Sequence, residues 1–188
     1  MKTLKQILVE CEKFLIESEH PMIDVDGIMK HRNNSLGQPI HPTDEGIRNF
    51  HRWFGSSKMV DEHGRPKVFY HGTRKDFERF DTNDGLGGSI FISPDAKYSA
   101  NFADAKGGQI MPVYVKATNP HKKVVLAYDE EKHIKKAKKN GYDAVKIKDS
   151  FSNWEPENIA IFSGSQLKSA IGNSGAFSSH PHITEEKQ

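Results

Sequence analysis

The chain has 188 residues, with 27 Lys and Arg against 25 Asp and Glu, a net charge of +2 and a single cysteine. That length holds one domain with an appendage. The balanced charge gives no argument for nucleic-acid binding, and one thiol, Cys11, excludes both an intramolecular disulfide and a thiolate metal cage. Hydrophobic residues make up only 35% of the chain, so a single modest core with loose ends is expected. The N-terminus lacks an apolar run of signal-peptide length, and no stretch of roughly 18 apolar residues occurs. A cytoplasmic protein without membrane contact is the default expectation.

Leu4, Ile7, Leu8, Cys11 and Leu15 recur at helical spacing, which predicts an amphipathic helix over 3–18, ended by Pro21. Residues 22–42 carry Asn33, Asn34, Gly37, Pro39 and Pro42 and read mostly as loop, around a turn near Val25 to Lys30. Thr43 suits a helix cap with Asp44 and Glu45 in the first turn. The helix it starts places Ile47, Phe50, Trp53 and Phe54 on one side and stops at Gly55. A short hairpin turning at His63-Gly64 follows. Strands are then predicted at 67–71, 89–92, 109–117, 123–127, 142–147 and 158–163, with helices at 95–104 and 129–140. Strand and helix do not alternate regularly, which argues for an α+β domain of two packed antiparallel sheets. From Ser174 the chain is Ser, His, Pro and charge, and reads as a disordered tail.

Two stretches carry chemistry. In Phe69-Tyr70-His71-Gly72-Thr73, His71 sits at a strand end, and Gly72 lets a flat ring lie against backbone that offers both a donor and an acceptor to a carboxamide. In Ser89-Ile90-Phe91-Ile92-Ser93 running on to Ser99-Ala100-Asn101-Phe102-Ala103, a strand, a turn and a short helix set Phe91 and Phe102 eleven residues apart. If the helix folds back, the two rings face each other across a slot that suits nicotinamide. Ser99, one helical turn before Phe102, is placed to bond its carboxamide. The set therefore suits the capture of nicotinamide adenine dinucleotide (NAD). Each stretch alone also has an ordinary reading: His71 as a polar strand end, and Phe91, Tyr98 and Phe102 as core. Arg74 suits a pyrophosphate. The lysines at 132, 135, 136, 138 and 139 read as a solvated helix face or, more sharply, as a contact for nucleic acid or an acidic partner. Gly85 to Gly88 are expected to form a flexible lip over the site. His180-Pro181-His182 has metal-like spacing but lacks a third ligand, so no metal is expected.

Taken together, these motifs resemble the ADP-ribosyltransferase superfamily, in its His-Tyr-Glu branch with diphtheria toxin and the poly(ADP-ribose) polymerases. Asn49 to Asp61, running into Tyr70-His71-Gly72-Thr73, and the ending Ser165-Gln166-Leu167-Lys168-Ser169-Ala170 resemble transferase-like domains of phage and prophage polyvalent proteins. The resemblance covers roughly residues 47–177. It implies an ADP-ribosyltransferase-like split β-sandwich over 47–173, and the reading of the residues adds an N-terminal helical extension over 1–46 and a disordered tail over 174–188. It further implies that NAD is the substrate and that ADP-ribose passes to a macromolecular acceptor, protein or nucleic acid, in the manner of a phage or bacterial effector. His71 would bond the adenosine-side ribose and Gly72 the carboxamide, with Thr73 and Arg74 beside them. Phe91 and Phe102 fall where the family has tyrosines, and Ser99 falls on the serine that contacts the amide.

The sequence departs from the family at the catalytic Glu that opens a late strand. Strict register puts Asn158 there, with Glu157 just before it and Glu155 two residues further back. A carboxylate stabilises the oxocarbenium-like charge that develops as nicotinamide leaves, whereas an amide holds a hydroxyl without charge. A slip of one residue turns Glu157 to the opposite face; a bulge after Pro156 restores it. Three rivals follow: an NAD glycohydrolase, an RNA 2′-phosphotransferase, which needs more basic residues than Arg74 supplies, and a non-catalytic binding module.

Overall fold

The computed structural model describes residues 21–75, 77–83, 85–103, 107–126, 129–148 and 158–184. The helix expected over 3–18, with Cys11, and the carboxylates Glu155 and Glu157 lie outside the described residues.

The described chain begins with strands β1 (Met22–Val25) and β2 (Ile28–His31), an antiparallel hairpin. This corrects the loop expected over 22–42. Asp26 and Gly27 both take positive φ, 54° and 84°, the backbone that a two-residue hairpin turn demands. The hairpin lays Ile23 and Val25 into the core. Arg52 holds Asp26 at 2.8 Å, and Arg32 holds Asp44 at 2.7 Å.

Helix α1 (Asp44–Phe54) starts where the sequence placed it, with the Thr43 hydroxyl accepting from the Gly46 amide at 3.1 Å. Its apolar side buries Ile47, Phe50, Trp53 and Phe54. Phe50 is fully buried and meets the rings of Tyr114, Phe54 and Phe177 at 4.7, 5.1 and 5.2 Å. The Tyr114 and Phe177 contacts are edge-on and the Phe54 contact is stacked, and such contacts add to the area that the rings bury.

Seven strands then build two sheets. β3 (Phe69–Thr73), β5 (Gln109–Val115) and β9 (Leu167–Ser169) form the first, in the order β3-β5-β9, all antiparallel. β4 (Ile90–Ile92), β8 (Asn158–Ile161), β7 (Ala144–Lys148) and β6 (Pro120–Leu126) form the second, in the order β4-β8-β7-β6. Two short sheets with flanking helices make this an α+β fold. One feature differs from the expected pair of antiparallel sheets: β6 and β7 run parallel. Helix α3 (Glu130–Lys139) connects them, and a helical crossover returns the chain in the same direction. Ile134 and Ala137 of α3 pack on Val145, Ile147 and Ala160 as a second, smaller core.

Residues 174–184 also differ from expectation, because they are packed rather than loose. Phe177 and Ile183 are 3% and 2% exposed. The Ile183 amide donates to the Glu78 carbonyl, and its own carbonyl accepts from the Ser169 amide, both at 3.0 Å. Two well-separated apolar anchors in a polar stretch leave little compositional signal. No described helix is long and apolar enough to cross a membrane.

His51 is buried on α1, where its Nε2 donates to the His31 carbonyl at 2.7 Å. Burial lowers its pKa from 6.5 to about 4. Between these values the unfolded chain binds the proton and the folded one does not, so stability falls as the pH drops through that window, by about 3 kcal/mol in all. Urea unfolding at pH 7 and pH 4.5 is expected to show this loss. His51→Gln, which keeps a donor for His31 and takes up no proton, is expected to flatten the slope.

Candidate functional site

The two sheets touch through β3 and the end of β4. Tyr70 and Ser93 exchange backbone hydrogen bonds at 2.8 and 2.9 Å, an isolated bridge outside either ladder. Around this junction lies a cleft of about 710 Å3, lined from both sheets. His71, Gly72, Thr73, Arg74, Phe91, Ser99, Phe102 and Asn158 all line it. Of the residues singled out in the sequence as cofactor-binding or catalytic, Glu157 and its weaker alternative Glu155 lie outside the described residues.

His71 is positioned by main chain. Its Nδ1 lies 2.7 Å from the Phe91 carbonyl. A carbonyl only accepts, so Nδ1 carries the hydrogen and, in the neutral ring, Nε2 keeps a lone pair. Burial holds the imidazole below its ordinary pKa, against the opposing pull of the Phe91 carbonyl. The rings of Phe80 and Phe77 stand edge-on to it at 5.2 and 6.0 Å.

A Cβ built on Gly72 falls 1.9 Å from the Ser99 carbonyl oxygen and 3.1 Å from the Phe102 Cβ. The missing side chain makes room for helix α2 (Ala96–Ala100). The Thr73 hydroxyl accepts from the Lys75 amide at 3.1 Å and so shapes the turn that follows. Arg74 lies exposed on the cleft wall together with Lys75 and Arg79. These last two were not singled out in the sequence, because only the path of the loop brings them to Arg74.

The α2 helix is capped by Asp95, whose carboxylate accepts from the amides of Lys97 at 2.8 Å and Tyr98 at 3.4 Å. Ser99, 2% exposed, donates its hydroxyl to the Tyr70 carbonyl at 3.0 Å. It therefore ties α2 to β3 at the edge of the cleft. Phe102 is 52% exposed and meets Tyr98 at 5.4 Å, while Phe91 is half-buried on β4.

Asn158 opens β8, paired with Ile147. Its Nδ2 donates to the Tyr98 hydroxyl at 2.7 Å. Tyr98, read from the sequence only as a core alternative, thus orients this amide. With Nδ2 so engaged, the carbonyl end of the side chain is the acceptor left for a ligand.

The glycine lip is tethered. Lys138 of α3 donates to the Gly87 carbonyl at 2.9 Å and also to that of Gly88. A Cβ on Gly87 falls 2.8 Å from Ile134. Among the described residues, the charged side chains on the cleft are Arg74, Lys75 and Arg79 against Asp81 and Glu130, which gives a phosphate-compatible wall beside an aromatic one. Among the described residues, no group of three His, Cys, Asp or Glu side chains could hold a metal ion.

Gly72→Ala is expected to force α2 away from β3, because the obstruction is backbone rather than a flexible side chain. A loss of about 1–3 kcal/mol follows from such overpacking, read as a lower denaturant midpoint at unchanged m.

No curated protein matches the chain. Residues 61–131 match the family model of the ADP-ribosyltransferase in polyvalent proteins. The match covers under half of the chain, but it runs from the turn before β3 into α3 and includes His71, Gly72, Phe91, Ser99 and Phe102. Over these residues the chain is similar to the ADP-ribosyltransferase of polyvalent proteins.

Proposed function

We propose that the cleft binds NAD, that the chain breaks the bond between nicotinamide and ribose, and that ADP-ribose passes to a macromolecular acceptor. The observation that carries this reading is His71, fixed as the Nδ1–H tautomer by Phe91 at 2.7 Å on the wall of an aromatic and cationic cleft. Its Nε2 lone pair accepts from a ribose hydroxyl. Phe91 and Phe102 pack on the nicotinamide ring, worth roughly 0.5–1.5 kcal/mol per pair beyond area burial. The backbone at Gly72 meets the carboxamide, and Ser99 holds α2 in place to receive it. Arg74, with Lys75 and Arg79 on the same wall, balances the pyrophosphate.

As the C1′–N bond breaks, its electron pair goes to nicotinamide and positive charge develops on the ribose. Asn158, oriented by Tyr98, accepts from a ribose hydroxyl, and the Glu157 carboxylate balances the charge. The acceptor's nucleophile then bonds to C1′ and gives up its proton. An NAD glycohydrolase would use water at this step. A binding module on the same fold is favoured by one observation, the neutral amide of Asn158.

The test is release of nicotinamide, together with transfer of label from adenine-labelled NAD into lysate, by wild type, His71→Ala, Glu157→Ala and Asn158→Ala. Wild type is expected to label protein or nucleic acid. Glu157→Ala should lose on the order of 10²-fold or more in turnover, and His71→Ala should lose NAD binding. Free ADP-ribose as sole product identifies the glycohydrolase; binding without release identifies the module; neither binding nor release overturns the reading. The depressed pKa of His71 sets the pH response. NAD binding is expected to hold from pH 8 to below pH 6.5 and to fall only at more acid pH, where Nε2 gains a proton and stops accepting.

A further inference from the structure

We infer that Lys168 is a positioning residue for the cleft: it fixes the register of the 178–184 segment, and that segment holds the wall that carries Phe77 and Phe80 against His71. The inference rests on the reading of the cleft as an NAD site.

Lys168 lies on β9 and is fully buried. Its Nζ donates to the carbonyls of His180 at 2.5 Å and His182 at 2.9 Å. Burying an ammonium is costly unless its hydrogens find acceptors. Two carbonyls spaced i and i+2 satisfy it and at the same time dictate how the segment lies. Apolar anchors such as Phe177 and Ile183 attract without direction. Lys168 joins the Ser169 amide, which donates to the Ile183 carbonyl, in giving the pairing its direction, and a pairing that loses such contacts is freer to slip by one residue and turn its side chains over.

The register matters because of what the segment grips. The Ile183 amide donates to the Glu78 carbonyl at 3.0 Å, and Arg79 and His182 form a β-bridge. The same loop passes tightly over Gly164, where an added Cβ falls 2.2 Å from the Phe80 carbonyl oxygen. Phe77 and Phe80, on either side of the gripped residues, stand 5.1 Å apart and both meet the imidazole of His71. A slipped segment releases Glu78 and Arg79, and the edge contacts on His71 loosen with them. Positioning errors near 1 Å are enough to weaken a site by an order of magnitude or more.

The experiment compares wild type, Lys168→Met and Lys168→Arg in the full chain. It reads amide hydrogen exchange at Arg79, Phe80 and Ile183, and KM and kcat for nicotinamide release from NAD. Lys168→Met is expected to speed exchange at these amides and raise KM about tenfold, with kcat within about twofold. Lys168→Arg, which keeps the charge and the donors, should recover most of the loss. A lower melting temperature with unchanged exchange and KM overturns the inference, as does faster exchange with KM unchanged. Should Lys168→Met fail to fold, Asn173→Ala, which removes only the amide donating to the Ile183 carbonyl at 3.3 Å and accepting from Gly175 at 2.8 Å, carries the same readouts. If wild type does not turn over NAD, the functional reading has failed, and the exchange pattern alone decides whether Lys168 holds the wall.

Discussion

The site depends on one peptide unit, the link between Tyr70 and His71. The Tyr70 carbonyl accepts from the Ser93 amide at 2.9 Å and from the Ser99 hydroxyl at 3.0 Å, so both of its lone pairs are engaged. The Tyr70 amide donates to Ser93, and His71 then donates to Phe91. Through these bonds the first sheet, the second sheet and α2 meet at two consecutive residues. A pairing limited to one bridge leaves the sheets free to diverge on either side, and the divergence is the cleft. The arrangement thereby constrains three residues that line the cleft: His71 and Ser99 through their side-chain bonds, and Gly72, where α2 leaves no room for a Cβ.

The second organising element is α3. Its apolar side closes the smaller core over β7 and β8, and one turn further Lys138 reaches across to the lip. Lys138 also stands 5.2 Å over the Phe162 ring, and burial lowers its pKa. Lip and small core therefore share a helix, and a movement that opens the lip must break the lysine's contacts with Gly87 and Gly88. The expectation of a freely flexible lip gives way to one held by a specific donor. Glycine supplies the positive φ of 61° and 66° that the lip path takes at Gly87 and Gly88.

What could be read in the sequence was what depends on near neighbours. The cap at Thr43, the apolar side of α1, and the strand and helix that carry Phe91 and Ser99 are each written within a dozen residues. The features that escaped depend on distant partners. The parallel pairing of β6 with β7 follows from where α3 packs. The burial of residues 174–184 follows from Lys168 and Glu78, neither of which advertises a partner. The Asp26-Gly27 hairpin has a legible turn, but its strands are four residues each with mixed exposure, too short for alternation to stand out. Gly72 shows a subtler limit: the turn it marks was legible, whereas the close approach of Ser99 that it permits required the fold.

Asn158 is where local and global demands meet. Ile159, Ala160 and Ile161 are buried, which fixes the register of β8 and with it the direction of residue 158. A carboxylate at that position would face the same Tyr98 hydroxyl and would accept where the amide now donates. The amide therefore reverses the polarity of this contact while keeping its geometry. It orients a neighbouring hydroxyl without bringing a charge into a cleft whose other wall is cationic. On the proposed mechanism, holding the ribose and balancing its charge are divided between two residues.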